Sequence, residues 1–346
     1  MKKVTIHDVA KQAGVSPATV SRVLNGTAKV KPDKAEQVQK VIAELGYRPN
    51  ALAHSLAQGK GSGTVGVIVR HLYGEFFSLV LSAFENELRA KGLHMICSSS
   101  NGSAQEERQS LKIMTQRGVE ALFLMAPCLP DAELLELIGT TPTVLMNRYI
   151  PELARSCVTI DNRLGGYLAT KHLLDLGHER IACITAYLTR QFARQRLEGY
   201  LEALREKGIA RDDLLIIEAD DLYSESGTQA TERLLKLGSF SALFATNDLM
   251  AAGALKALQA HAYSVPEDVS IIGFDDLSLC QLTTPTLSTM HYPTEEMGKC
   301  AAQHLLQQME GKAPDTLSPF KSYLKIRESS AAPKGQTSPV KPLVES

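Results

Sequence analysis

Residues 6–25 read Ile6-His7-Asp8-Val9-Ala10-Lys11-Gln12-Ala13-Gly14-Val15-Ser16-Pro17-Ala18-Thr19-Val20-Ser21-Arg22-Val23-Leu24-Asn25. Two helical patterns meet here with almost nothing between them. Thr5, followed three residues later by Asp8, resembles a capping box, and Ile6, Val9, Ala10 and Ala13 then recur at helical spacing until Gly14. Ser16 and Pro17 restart a helix at once, the serine as N-cap and the proline in the first turn, where its missing N–H costs nothing. Asn25-Gly26 ends it. A connection of only Gly14 and Val15 makes the second helix cross the first steeply, which is the helix-turn-helix arrangement; such a second helix can enter a major groove. A third helix is expected from about Asp33 to Leu45, with Val38, Val41, Ile42 and Leu45 on one face, stopping at Gly46.

Working outward, Asn50 to Ala57 has helical residues but is too short to be stable alone. Gln58 to Gly63 reads as a flexible linker. From Thr64 onward β-branched runs alternate with amphipathic helices. Strands are expected at 65–69, 95–98, 121–124, 143–146, 158–160, 181–185, 214–218, 242–245, 269–273 and 288–291. Helices are expected at 77–91, 105–117, 165–176, 197–207, 226–237, 249–260 and 294–309. This alternation predicts parallel, doubly wound sheets, and about ten strands suit two sheets better than one. Ligands then bind at the carboxyl ends of strands, in the cleft between lobes. The expected organisation is a helix-turn-helix domain over 1–48, a hinge helix and linker over 49–63, a two-lobed α/β domain over 64–330, and a disordered tail over 331–346 with no heptad for a coiled coil.

Composition agrees with this division. Residues 1–60 hold ten Lys or Arg against four Asp or Glu, while the remainder holds 27 against 34. A basic segment on an acidic body is the footprint of a nucleic-acid module. The six cysteines show no close pair, so both a zinc ribbon and a disulfide framework lack their spacing signal. No apolar run is long enough to span a bilayer, and the first residues lack a signal h-region; no membrane partner and a cytoplasmic location are expected.

The runs Val4 to Ala10, Ala13 to Asn25 and Gly46-Tyr47-Arg48-Pro49-Asn50 closely resemble the DNA-binding signature of the lactose- and galactose-type repressors. Similarity continues through Glu106 to Arg108, Leu176 to Ile181, Arg196 to Tyr200, Asn247-Asp248 and Ile272 to Asp276. Met146-Asn147-Arg148 and Met250 to Ala254 are nearest to the galactose type. The resemblance implies a transcriptional repressor that binds double-stranded operator DNA as a homodimer, and whose DNA affinity is lowered by a small sugar held between the lobes. No cofactor is implied.

Residue by residue, Arg22 is suited to a bidentate bond with guanine and Ala18 to a thymine methyl. Thr5, Ser16, Thr19, Ser21 and Asn25 are short hydrogen bonders suited to phosphates. The resemblance completes this set with Pro17, Lys29, Asn50 and Ala53, and matches Leu56 to a wedge inserted into the minor groove. Capping and ordinary surface exposure are the plain alternatives for the hydroxyls, and a packed leucine for Leu56. Lys31-Pro32 stands where the family usually has a serine N-cap. In the two-lobed domain the resemblance places the effector against Arg196, Asn247 and Asp275. Asn147, following a strand, is a further candidate, Phe76 offers an apolar wall for a sugar ring, and Tyr292 lies near a lobe crossover. A mutual salt bridge is the alternative for Arg196 and Asp275, and core packing for Phe76. Gly74-Glu75 replaces the family's usual Asp-Pro.

Other classes fit less well. Gly61-Ser62-Gly63-Thr64-Val65-Gly66 spells a dinucleotide fingerprint, but a functional one follows a strand and opens a helix, whereas this one precedes a strand. No catalytic constellation is found, so the chain is not expected to be an enzyme. A periplasmic binding protein would carry no helix-turn-helix. A corepressor such as a purine remains the alternative effector.

Overall fold

The computed structural model describes residues 4–25, 30–47 and 61–334. The chain divides between Ser62 and Gly63 into two compact units. The first contains α1 (Ile6–Gln12), α2 (Pro17–Asn25) and α3 (Pro32–Leu45). Both halves of the capping box form: the Thr5 hydroxyl accepts from the Asp8 N–H, and the Asp8 carboxylate accepts from the Thr5 N–H at 2.8 Å. Gly14 turns the chain at φ 62°, a left-handed conformation that glycine enters without steric cost. The Val15 N–H then closes onto the Ala10 carbonyl at 3.0 Å. The Ser16 hydroxyl accepts from the Thr19 N–H at 3.2 Å. Val9, Ala10, Ala13, Val20, Val38 and Val41 form the core. Lys31 precedes α3 without a side-chain cap bond.

In the second unit, strands β1 (Thr64–Val69), β2 (His94–Ser99), β3 (Ala121–Met125), β4 (Thr143–Met146) and β5 (Cys157–Val158) form a parallel sheet in the order β2-β1-β3-β4-β5. Strands β6 (Ile181–Ala186), β7 (Ile216–Ala219), β8 (Ala242–Ala245), β9 (Ser270–Asp275), β10 (Ser288–His291) and β11 (Tyr323–Lys325) form a second sheet, β11-β10-β9-β8-β6-β7, in which β11 alone runs antiparallel. Leaving β11 aside, the two sheets have one winding. Each therefore has a switch point where the order reverses, β1 beside β3 and β6 beside β8, and crevices open there. The helix Thr294–Met309 packs on the first sheet's helix Glu75–Ala90; a Cβ at Gly298 would lie 2.5 Å from the Val80 carbonyl oxygen.

Several expectations are corrected. The helix Asp131–Ile138 and strand β11 escaped notice because each is too short for its periodicity to register. The strand expected at 214–218 begins only at Ile216, after a 3-10 turn over Asp213–Leu215. Ile160 is no longer in β5 but bridges Phe320 at a lobe crossover. Residues 331–334, assigned to the tail, are tied to the second lobe: the Ala331 N–H donates to the Ser270 hydroxyl at 3.0 Å, and Lys334 pairs with Asp268.

Candidate functional site

The pocket of the two-lobed unit is built from strand ends. Arg70 and His71 follow β1, Ala126 follows β3, Asn147 follows β4, Tyr187 follows β6, Asn247 lies just past β8 and Asp275 closes β9; all line one cavity. Ala126, Asn147, Tyr187 and Asp275 all have positive φ, 51°, 60°, 56° and 118°. Non-glycine residues rarely adopt such backbone, and it clusters at ligand sites, where the chain must leave a strand abruptly.

Arg196 and Asp275 meet here. Arg196 projects from the helix Gln191–Glu206, which is seated against the helix Asn162–Asp175: a Cβ at Gly199 would lie 2.0 Å from the Arg163 carbonyl oxygen. The guanidinium, 4% exposed, donates from Nε to Asn162 Oδ1 at 2.9 Å and from Nη1 to the Thr246 carbonyl. It lies 3.6 Å from the centroid of the Phe274 ring. Both Nη atoms reach Asp275 Oδ1 at 3.5 Å, a long and therefore weak contact. Burial pushes the Asp275 carboxyl up to about 8, and Arg196 opposes that rise. A carboxyl so placed can accept from or donate to a hydroxyl. The salt bridge and the ligand-facing position therefore coexist in one pair.

Asn247 also serves two ends. It caps the helix Asp248–Ala260, its Oδ1 accepting from the Met250 N–H at 2.9 Å, while Nδ2 donates to the Leu222 carbonyl at 2.8 Å. Phe76 lines the cavity. Tyr292 does not: it is 2% exposed and stands behind the pocket, its hydroxyl donating to Asn147 Oδ1 and its ring edge-on to Phe76 at 4.9 Å. The expectation that Tyr292 belongs to the effector wall is corrected to a supporting position, because its phenol satisfies itself on Asn147.

Several lining residues were not foreseen. Arg70, 5% exposed, stacks on Tyr187 with its guanidinium carbon 3.8 Å from the ring centroid, joining the first lobe to the second. Tyr73 stacks on Tyr223 at 5.4 Å across the same gap. Glu75 accepts from the Ser278 N–H at 3.0 Å and from its hydroxyl at 2.7 Å, a further bond between lobes. Arg70 and Tyr187 each stand immediately after a strand, so the strand-end rule alone would have found them.

In the first unit, Ala18 and Arg22 lie exposed one turn apart on α2. Thr5 and Ser16 are exposed, and their hydroxyls close helix starts; Ser16 Oγ also lies 3.0 Å from Thr19 Oγ1. Pro17 opens α2, Ser21 is half-buried within it and Asn25 is its last residue. Lys29, Asn50, Ala53 and Leu56, with most of the hinge, lie outside the described residues.

Among the described residues no cluster of His, Cys, Asp or Glu could hold a metal, and no helix is long and apolar enough to cross a membrane. The Gly61 to Gly66 run leads into β1 and not a helix, and a Cβ at Gly66 would lie 2.9 Å from the Leu122 side chain, so this glycine serves packing. All six cysteines are free thiols.

Comparison with known proteins gives two family matches: bacterial regulatory proteins of the lacI family over residues 5–50, and a periplasmic binding protein-like domain over residues 170–330. The HTH-type transcriptional regulator GalS of Salmonella typhimurium strain LT2 is 38% identical over 309 residues, 89% of this chain and 91% of that protein. Among solved structures, the lac repressor dimer bound to operator and an anti-inducer is 27% identical with a TM-score of 0.78, covering 96% of this chain and all of that one. A complex of the transcriptional regulator CelR with cellobiose is 31% identical with a TM-score of 0.72, covering 95% of this chain and all of that one.

Proposed function

This chain belongs to the lacI family of bacterial regulatory proteins, and from that premise we propose that it is a cytoplasmic repressor released from its operator by a sugar bound between the two lobes. As a transcriptional regulator it is not an enzyme. The observation that carries the sugar reading is the pocket itself. Phe76 offers an aromatic face, and Arg196, Asp275 and Asn147 converge from both lobes with the mixed donors and acceptors that hydroxyls require. The cellobiose complex of a relative with the same architecture lends further support.

The proposed mechanism runs from the cleft to the head. Two copies pair through the two-lobed units and present their α2 helices to the half-sites of a near-palindrome. There Arg22 and Ala18 read base edges. Thr5, Ser16, Pro17, Thr19, Ser21, Asn25, Lys29, Asn50 and Ala53 hold the backbone, and Leu56 wedges into the minor groove. Arg70 stacked on Tyr187 and Glu75 bonded to Ser278 tie the two lobes together across the cleft. A sugar that changes their balance shifts the lobe angle and, through it, the hinge that places Leu56. Such coupling is reciprocal and typically worth about 1–3 kcal/mol.

The test is fluorescence anisotropy of the purified protein on DNA from beside its own gene, at fixed salt, with and without hexoses, disaccharides and purines. Release by one sugar is expected. Tightening by a purine makes the ligand a corepressor instead, and absence of DNA binding at every salt concentration overturns the reading.

A further inference from the structure

Two buried arginines face the cleft differently. Arg196 is answered by Asn162, the Thr246 carbonyl and Asp275. Arg70 is 5% exposed and lines the same cavity, yet its Nε and Nη1 have no hydrogen-bond partner. The two carboxylates lining the cavity are committed elsewhere, Asp275 to Arg196 and Glu75 to Ser278. His71, next in the chain, is held below its ordinary value by burial and then by Arg70, so its ring stays neutral and supplies no counter-charge to the guanidinium. Its buried Nδ1 also lacks a partner.

A second arginine, outside the cavity lining, reaches across from the opposite lobe behind Arg70. Arg190 donates from Nη2 to the Gly102 carbonyl at 3.2 Å, and its buried Nε is unpartnered as well. Gly102 is also where Arg70 packs: a Cβ there would stand 2.7 Å from Arg70 Nη2. Two guanidinium groups thus flank one glycine, and among the described residues neither forms an ion pair.

A guanidinium cannot shed its proton, and burying it without a counter-charge costs several kcal/mol. Stacking on Tyr187 offsets part of that and leaves the in-plane donors unanswered. Charged in-plane N–H donors of this kind are what the oxygens of a phosphate or carboxylate accept from. We propose that the Arg70 end of the cleft is an anion subsite, and that the effector is a saccharide carrying a phosphate or carboxylate which Arg70 holds. This rests on the reading of the cleft as the effector site and narrows the ligand class.

The full-length protein is heated in inorganic phosphate and in sodium chloride at matched ionic strength. It is also titrated by calorimetry with glucose, glucose 6-phosphate and gluconate, and with galactose and galactose 1-phosphate. In the wild type, phosphate is expected to raise the unfolding midpoint by about 2 °C or more over chloride, and a charged sugar to bind at least about tenfold more tightly than its neutral counterpart. Arg70→Met should lose both preferences, Arg70→Lys should keep part of each, and without ligand Arg70→Met should melt no lower than the wild type. Preference for the phosphate ester alone, or for gluconate alone, identifies which anion is taken. Phosphate acting no differently from chloride, an intact preference in Arg70→Met, or an unliganded Arg70→Met that melts well below the wild type while Arg70→Lys does not, overturns the subsite. Neutral sugars binding as tightly as charged ones overturns it too, and leaves the sugar-effector reading standing. Binding of purines with no sugar of either kind overturns the sugar reading itself.

Discussion

In the helix-turn-helix unit, Arg22 and Ala18 stand on the exposed face of α2 while Val9, Val20 and Val38 hold the helices together beneath them. In the cleft no such separation exists. Arg196 is buried under three kinds of partner, Asn247 is a helix cap and a pocket wall at once, and Asn147 is pinned by Tyr292. The head can change its reading surface without touching its core. In the cleft, residues that face the ligand also hold strand ends and lobes in place, so response and stability change together.

The largest effect that would break this comparison is at Arg196. Arg196→Ala leaves the buried Asn162 Oδ1 and Thr246 carbonyl without their donor and removes the guanidinium packed on Phe274, and should destabilise the two-lobed unit by about 3 kcal/mol. It should also abolish release by effector while operator binding persists at temperatures where the protein stays folded. Calorimetric unfolding and anisotropy measured together check this; a variant with unchanged stability and no response would show that the cleft, like the head, separates its two roles.

Arg22→Ala probes the other side. Operator affinity should fall by about 1–3 kcal/mol with discrimination relaxed at one base position, while the unfolding free energy stays within about 0.5 kcal/mol of wild type. A clear loss of stability would place Arg22 in the framework of the head.

The third prediction concerns acidity. His172 and His178 are held below the usual histidine value by burial, and His178 bonds to Ser241 at 2.9 Å and to the Ala331 carbonyl at 2.8 Å. The unfolded chain takes up these protons first, so the stability they contribute is present above pH about 6.5 and is lost as pH falls below it. Thermal melts between pH 7.5 and 5.5 should show a falling midpoint, and His178→Gln should flatten that slope; a slope unchanged by the substitution would assign it elsewhere.

The smallest effects are at Ser16 and Glu75. Ser16→Ala removes the α2 cap and should cost about 1 kcal/mol, confined to the head. Glu75→Ala removes a partly exposed link between lobes. It should cost no more than about 1 kcal/mol in stability, yet alter the effector concentration needed for release. Dose–response curves beside melts distinguish the two, and an unchanged curve for Glu75→Ala would remove it from the closing motion.

The helix-turn-helix could be read residue by residue because it is local: capping box, two-residue turn, Ser16 cap and the α2 surface all lie within about twenty residues. Strand and helix alternation was legible for the same reason, since each element carries its own period, and only Asp131–Ile138 and β11 were too short to register. The resemblance pointed to Arg196, Asn247 and Asp275, and the strand-end rule to Asn147. What tertiary structure alone decided is which of these meet and what else joins them. Tyr292 turned away from the cavity because Asn147 satisfies its hydroxyl, Tyr223 and Glu75 entered, and Arg70 came to stack on Tyr187, because two separately wound sheets bring their carboxyl ends face to face. Residues 70 and 190 are 120 positions apart, and no local pattern could reveal that both come to rest against Gly102. Periodicity records how each element buries its own face; the polar partners of a cleft are set by how the elements close on one another.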